Sequence, residues 1–204
     1  MSRQKEREFK NLLTAAEYQL LQQTYNFNLS FKQTNLYFDT ATQQLRQMGC
    51  GLRIRLFVDQ AEQTLKVPAS DNHDLWELTD QLNVAVARRG EIQRAGQVAD
   101  YLQKHKIDIA HLQMTGYAQT KRQQVRLPAG LLVLDQTIYA DDGVDYELEL
   151  EVTADTTATI FQEILSLRDI PQRPVTNKVA RAVTKYQAPN NENRRANLTR
   201  MLFI

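Results

Sequence analysis

The sequence predicts an α+β fold dominated by antiparallel sheet. Three observations predict it: eight or so short runs alternate polar and apolar residues with the period of a strand, few segments carry helical spacing, and the strand-like runs follow one another across turn-rich pieces. The chain has 204 residues, 42% of them hydrophobic, enough to bury the core of one ordinary domain. With Gly 7 and Pro 5, low-complexity or linker-dominated organisation is excluded.

The elements follow in order. Lys5 to Asn11 reads as a strand, and Thr14-Ala15-Ala16-Glu17 is a capping-box pattern opening a helix through about Thr24. Thr34 to Asp39, Leu52 to Phe57 and Gln63 to Val67 are short β-branched or aromatic runs expected as consecutive antiparallel strands, continued by Asp74 to Leu78. Gly90 to Lys106 places Ile92, Val98 and Leu102 at roughly helical spacing and is expected as a helical interlude. Strands resume at Thr120 to Leu127, Leu131 to Asp135 and Asp145 to Val152, the first two joined by a Pro-Ala-Gly turn. Helices over about Thr156 to Leu167 and Asn177 to Tyr186 close the fold, and 188–204 is expected as a polar tail ending in apolar Met201-Leu202-Phe203-Ile204.

Composition narrows the function. The 25 Lys+Arg against 24 Asp+Glu leave a formal charge of +1, so neither a bulk nucleic-acid binder nor an acidic disordered chain is favoured. A single cysteine, Cys50, excludes an internal disulfide framework and a thiolate-rich zinc site, and makes a reduced, cytoplasmic chain the default. The amino terminus shows no apolar signal region, and no stretch approaches the roughly 20 apolar residues of a membrane helix.

Sorted by strand parity, the charges segregate. Side chains two apart share a face of a strand. Glu6, Glu8 and Lys10 share one; Arg53 and Arg55 lie opposite Leu52, Ile54 and Leu56; Lys66 lies opposite Leu65 and Val67; Arg122, Gln124 and Arg126 share another. Glu147, Glu149 and Glu151 form a row at steps of about 6.6 Å, opposite Tyr146, Leu148, Leu150 and Val152. Such faces can point to water around a sandwich core. However, like charges side by side repel unless a counter-charge faces them, and amphipathic helices need apolar surface to cover. The alternative is a closed sheet with its apolar faces outward under helices and its ionic faces lining a lumen. A lumen of both signs suits a divalent cation bound by carboxylates and a linked polyanion bound by Lys and Arg.

The motifs in this order resemble the CYTH superfamily, the triphosphate tunnel metalloenzymes. Glu6-Arg7-Glu8-Phe9-Lys10 fits its Glu-x-Glu-x-Lys signature, followed by Leu36-Tyr37-Phe38-Asp39, Leu52-Arg53-Ile54-Arg55, Thr64-Leu65-Lys66, Glu77, Thr120-Lys121-Arg122, Leu134-Asp135, Tyr146 to Glu151 and Asn177-Lys178-Val179-Ala180-Arg181. The resemblance covers roughly residues 5 to 187 and implies one domain over 1–187, an eight-stranded antiparallel tunnel barrel with a charged lumen and helices outside. It also implies that Lys10, Arg53, Arg55, Lys66, Arg122, Lys178 and Arg181 hold a triphosphate, and that Glu6, Glu8, Glu147, Glu149 and Glu151 ligate Mg²⁺ or Mn²⁺. The acidic strand fits in two registers, Glu147/Glu149 or Glu149/Glu151. Glu77 and Asp135 resemble supporting acidic positions, and Glu8, Glu147 or Glu149 the group that orients or deprotonates the attacking water. The implied activity is hydrolysis of a small-molecule triphosphate, inorganic triphosphate ahead of nucleoside or thiamine triphosphate. A class IV adenylyl cyclase and a non-catalytic triphosphate or polyphosphate binder are the alternatives, and a monomer or homodimer without nucleic-acid or membrane partners is expected.

Other features carry plainer readings. His73, His105 and His111 are too dispersed to form a zinc site. Cys50 reads as a small turn residue, Trp76 as core, and Arg88-Arg89 and Arg194-Arg195 as solvated pairs. Tyr37 and Asp39, on one face with Asn35, are expected to line the tunnel or, for Asp39, to end its strand.

Overall fold

A computed structural model describes residues 2–69, 75–152 and 158–187, with side chains from Arg7 onward. His73, Asp74, Thr156 and the tail 188–204, with Arg194, Arg195 and the apolar Met201 to Ile204, lie outside the described residues. So does the side chain of Glu6.

Eight strands form one antiparallel sheet closed on itself: β1 (Ser2–Leu13), β2 (Phe31–Thr40), β3 (Gly51–Leu56), β4 (Ala61–Pro68), β5 (Leu75–Leu82), β6 (Leu112–Leu127), β7 (Gly130–Tyr139) and β8 (Val144–Val152). Around the barrel the order is β1-β5-β4-β3-β2-β6-β7-β8. Closure falls on β1, which changes partner along its length: Ser2 to Glu6 pair with β5, and Arg7 to Leu13 with β8.

The outward faces are apolar and lie under helices. Leu36, Leu52, Ile54, Leu65 and Leu78 pack with Leu45 of α2 (Gln44–Gln47), Ala87 of α3 (Val84–Arg88), and Val98 and Leu102 of α4 (Gln97–Lys104). On the other side Leu132, Leu134, Leu148 and Leu150 pack with Tyr18 and Leu21 of α1 (Ala15–Thr24), and with Phe161, Ile164 and Leu165 of α5 (Ala158–Ser166). The sheet is therefore a helix-covered barrel rather than a sandwich, because burying these outward stripes against helices leaves the ionic faces only the inside. Trp76 packs on the first cluster. Among the described residues no helix is long and apolar enough to cross a membrane.

Local signals set the element ends. The capping box forms as expected: Glu17 N donates to Thr14 Oγ1 at 3.2 Å, and Thr14 N donates to Glu17 Oε2 at 2.7 Å. Asp39 ends β2 by capping α2, its carboxylate accepting the amides of Leu45 and Arg46 at 2.9 and 3.1 Å. The helical interlude is shorter than Gly90 to Lys106, because Gly90 and Gly96 sit at φ 69 and φ 107 and interrupt it. Helix α4 starts only at Gln97, where buried Asp80 accepts the amides of Gln97 and Val98, both at 3.0 Å. Strand β6 begins eight residues earlier than Thr120, through Met114-Thr115-Gly116, whose small and polar residues carry no alternation.

Helix α6 (Lys178–Gln187) differs from the external helices. Its Val179 and Ala182 pack against Tyr37, Ala118 and Tyr139, inward residues of β2, β6 and β7, so α6 lies on the concave side of the sheet. Gly116 permits this approach: a Cβ there would stand 3.0 Å from Val183 N and 3.1 Å from Ala182 C. Gly116→Ala is expected to push α6 outward and lower stability by about 1–3 kcal/mol. Triphosphate affinity should fall with it, since Lys178 begins the helix. A melting curve combined with a triphosphate titration checks both, and unchanged affinity would separate the helix from the site.

Candidate active site

Strand parity places the charges inside. A cavity of about 740 Å³ is lined by Lys10 from β1, Arg53 and Arg55 from β3, Lys66 from β4, Arg122 from β6 and Lys178 from α6. Glu8, Glu77, Glu149 and Glu151 share the wall, where Lys and Arg outnumber the carboxylates. The nearly neutral sequence thus concentrates a positive excess at one place.

The cations are held by an ordered set of anions. Arg122 makes a bidentate pair with Asp135, Nε to Oδ1 at 2.8 Å and a terminal nitrogen to Oδ2 at 2.7 Å, and also reaches Glu149 at 3.0 Å. Lys178 Nζ stands 2.6 Å from Asp135 and 3.3 Å from Glu149. Asp135 has no exposed surface, and its register partners are Arg122 on β6 and Glu147 on β8. Across the lumen Glu77 holds Lys66 at 3.0 Å and Arg53 at 3.4 Å, and Glu8 meets Lys10 at 2.5 Å.

Arg55 is the exception. Its Nε donates to the neutral Asn35 Oδ1 at 2.9 Å, and its nearest carboxylate, Glu62, is 3.6 Å away. Burial, reinforced by the charges of Arg53 and Arg122, pushes its guanidinium down to about 9. For Arg122, burial works the same way but Asp135 and Glu149 outweigh it, and the group is held well above the ordinary arginine value. Two arginines of one lumen therefore differ in whether the protein already neutralises them.

The acidic strand is split as well. Burial would raise Glu149, yet Lys178 and Arg122 hold it well below the ordinary carboxylate value. Glu147, 1% exposed, is pushed up to about 7 by burial and the adjoining Glu149, against the pull of Lys178. The two carboxyls share a proton over that range. Glu149 and Glu151 line the cavity, whereas Glu147 lies behind its wall beside Asp135.

Arg181, which the resemblance led one to expect among the triphosphate-holding residues, lies three residues after Lys178 on α6 and does not line the cavity. It donates to Glu147 and, at 3.0 Å, to Tyr139 Oη, and stands 3.0 Å from Asp145, pinning α6 to β7 and β8. Lys178 and Arg181, one helical turn apart, share a face of α6 and differ in depth: Lys178 borders the cavity, and Arg181 lies beyond it on Glu147 and Tyr139. Asp135 is likewise behind the wall. Asn35, Tyr37 and Asp39 border the cavity, as their shared face led one to expect, whereas Glu62, the Arg55 counter-ion, was not singled out in the sequence although it shares the parity of Lys66. Tyr139 and Asp145, the partners of Arg181, carried no recognisable motif.

The remaining singled-out residues stand apart from this chemistry. His105 stacks on Tyr101 with ring centroids 4.2 Å apart, and exposed His111 is 3.6 Å from Asp108. Cys50 touches the cavity rim, but burial pushes its thiol up, away from a reactive thiolate. Arg89 pairs with Glu91 at 2.6 Å on the surface.

Comparison with known proteins places this geometry. The CYTH domain pattern matches residues 4–183. A Bacillus subtilis (strain 168) protein named as a candidate triphosphatase, YjbK, is 35% identical over 185 residues, covering 89% of this chain and 95% of its own. A crystal structure of a candidate adenylate cyclase from Bacillus halodurans superposes with a TM-score of 0.80 at 32% identity, covering 89% of this chain and 98% of that one. A Hippeastrum protein, described as a candidate adenylyl cyclase with a dominant triphosphatase activity, shares the fold at a TM-score of 0.71 and 20% identity, covering 92% of this chain and 98% of its own. With a domain match spanning nearly the whole chain and a barrel whose lumen is built from the matched residues, this protein belongs to the CYTH domain family.

Proposed function

We propose that this protein hydrolyses a triphosphate inside the barrel, inorganic triphosphate first and nucleoside or thiamine triphosphate next, with Mg²⁺ or Mn²⁺. One observation carries the reading: six Lys and Arg side chains from five elements converge on one cavity where cations outnumber carboxylates, and Arg55 among them faces a neutral amide with its nearest carboxylate at 3.6 Å. A linked polyanion supplies the missing charge, and its multiple oxygens match the several donors of guanidinium groups.

The donor set suits a hard divalent cation. Glu8, Glu147 and Glu149 offer carboxylate oxygens, and Glu147 Oε1 is buried without a hydrogen-bond partner, the kind of atom that coordination satisfies. Among the described residues no three carboxylate, imidazole or thiol groups stand together as a finished cage, each lumen carboxylate being drawn to a Lys or Arg. Glu8, Glu147 and Glu149 would hold the cation, with Glu6 and Glu151 as further carboxylates. Bound there, the cation supplies charge neutralisation at the phosphoryl oxygens.

The chain's own groups do the rest. Arg53, Arg55, Lys66 and Arg122 hold the phosphate oxygens and stabilise charge spread over the transferring group. Asp135 fixes Arg122 and Lys178 without touching the substrate. Glu8, on the cavity wall beside Lys10, orients the attacking water and accepts its proton. No covalent nucleophile is required.

A phosphate-release screen over inorganic triphosphate, ATP, GTP and thiamine triphosphate, with Mg²⁺ and Mn²⁺, tests the proposal. Metal-dependent orthophosphate release that Glu8→Gln abolishes without altering the melting curve supports it; full activity in that variant sinks it. The name carried by the 32% identical relative favours cyclase chemistry as the second reading. Pyrophosphate release from ATP, in place of orthophosphate, would establish that instead.

Because burial and the adjoining Glu149 push the Glu147 carboxyl up to about 7, above its ordinary value, the Glu147–Glu149 pair keeps a proton at pH 6 that a cation must expel. Calorimetric titration with Mg²⁺ or Mn²⁺ in buffers of different ionisation enthalpy should show close to one proton released at pH 6, falling toward none by about pH 8.5. Pairing of Glu147 with the metal therefore strengthens as pH rises through 7.

A further inference from the structure

Two arginines of the lumen meet their cross-strand neighbours in the same way and with opposite results. Arg122 has Asp135 as its register partner on β7, and Arg55 has Asn35 as its register partner on β2. In each pair the arginine Nε donates to Oδ1, at 2.8 Å for Asp135 and 2.9 Å for Asn35. The second atom of the fork differs. Asp135 Oδ2 accepts a further bond from Arg122 at 2.7 Å, whereas the other end of the Asn35 amide is an NH2 group, which only donates. The partner fixes which way round that amide lies. A guanidinium Nε has a proton to give and no lone pair to offer, so the amide oxygen faces Arg55 and Nδ2 does not. Among the described residues Asn35 makes no other hydrogen bond. Its neighbour across the β2–β6 ladder is Ala118, whose side chain has no acceptor, and the open side of the residue is the cavity that it borders. The terminal nitrogens of Arg55 are in the same position, with Glu62 beyond hydrogen-bond range at 3.6 Å.

We infer that Asn35 is a substrate ligand: its Nδ2 donates to a phosphoryl oxygen that the terminal nitrogens of Arg55 also hold, and its neutrality leaves the Arg55 charge for the substrate. The inference rests on the triphosphate reading of the lumen and adds one residue to the groups that touch the substrate. Two donors side by side in the wall of a cavity are satisfied together only by an acceptor, and an anionic oxygen with several lone pairs accepts from both. A carboxylate in place of the amide would close the fork on Arg55 as Asp135 closes it on Arg122, and the guanidinium would then serve the fold instead of the ligand. The acid fixes Arg122 within the wall; the amide aims Arg55 and keeps it available.

The test titrates sodium tripolyphosphate calorimetrically, without metal, into the wild-type chain and its variants, with a melting curve for each. Asn35→Asp keeps the shape and supplies the carboxylate. Its melting temperature should match or exceed that of wild type while tripolyphosphate affinity falls about 100-fold, the loss of one hydrogen bond to a charged group together with the neutralisation of Arg55. A merely structural role would not move the two readouts apart. Gln33→Glu places the same charge two residues along the same face, also on the cavity wall, and should cost less than about tenfold. Equal losses in these two variants would mark general repulsion and overturn the assignment, as would Asn35→Asp binding within about twofold of wild type. Asn35→Ala added to Arg55→Met should still weaken binding about tenfold relative to Arg55→Met alone, because the amide has its own bond to the ligand. No further loss in that background would also overturn it, since Asn35 would then act only through Arg55. Phosphate release separates the two readings. The expected binding pattern without turnover refutes hydrolysis and supports the ligand, whereas normal triphosphate turnover with all variants binding alike refutes the ligand alone.

Discussion

Arg122→Met is expected to lower stability by about 3 kcal/mol, the lower end of what breaking a buried charge pair costs, and to abolish turnover. The loss comes from what remains. Asp135 has no exposed surface and keeps only Lys178, while Glu149, 5% exposed, loses one of the cations that hold it ionised. For a domain of this length the change corresponds to a fall in melting temperature of about 6–12 °C. Urea unfolding should show a lower midpoint at constant slope, and adding Asp135→Asn to the variant should recover a good part of the loss, because the orphaned charge is then removed. A melting temperature within about 2 °C of wild type would show that Arg122 is not the counter-ion on which these carboxylates depend.

Arg55→Met should do the opposite to stability while also lowering activity. Below pH 9 the unfolded chain carries Arg55 charged at no penalty, whereas the folded chain carries it against burial and against Arg53 and Arg122. The penalty is complete under pH 9 and fades as pH climbs toward the ordinary arginine value, so at neutral pH removing the charge leaves stability unchanged or raises it. A methionine of similar length also keeps the packing. Turnover should fall about 10²- to 10³-fold, the typical cost of losing one donor that stabilises transition-state charge. Inorganic triphosphate provides the second readout: it should raise the melting temperature of wild type more than that of the variant, since the ligand relieves a penalty the variant no longer carries. A variant less stable than wild type and equally protected by triphosphate would refute the assignment.

These two residues show what the sequence made legible. Period-two alternation places Arg53 and Arg55 together, and Glu147, Glu149 and Glu151 together, whatever the strands pair with, so the inward set follows from parity alone. Parity cannot say how far down the lumen a residue sits. Glu149 on the wall and Glu147 behind it differ by their cross-strand neighbours, Val133 and Asp135 on β7, which no single strand reveals. The same gap separates Arg55 from Arg122: one faces Asn35 and the other Asp135, and the contrast depends on the β2–β3 and β6–β7 registers. For Lys178 and Arg181 the deciding feature is remote, the missing side chain at Gly116 that seats their helix. The first half of β6 was hidden for a related reason, since residues facing a packed helix need not be charged and residues beside a glycine need not alternate.

The division of β1 between two neighbours has a mechanical consequence. Every other strand keeps its partners along a shared length, but β1 spends its first residues zipping to β5 and its later ones to β8. Glu8 and Lys10 belong to the later part. A peeling of residues 2–6 from β5 would therefore open the tunnel lengthwise, like a seam, while Glu8 and Lys10 stayed anchored beside the acidic strand. The wall carrying Glu77 and Lys66 could then swing away from the wall carrying Arg122 and Glu149 without either losing its own ion pairs. The barrel thus has one place, the edge between the first residues of β1 and β5, where it can be unfastened without breaking those ion pairs.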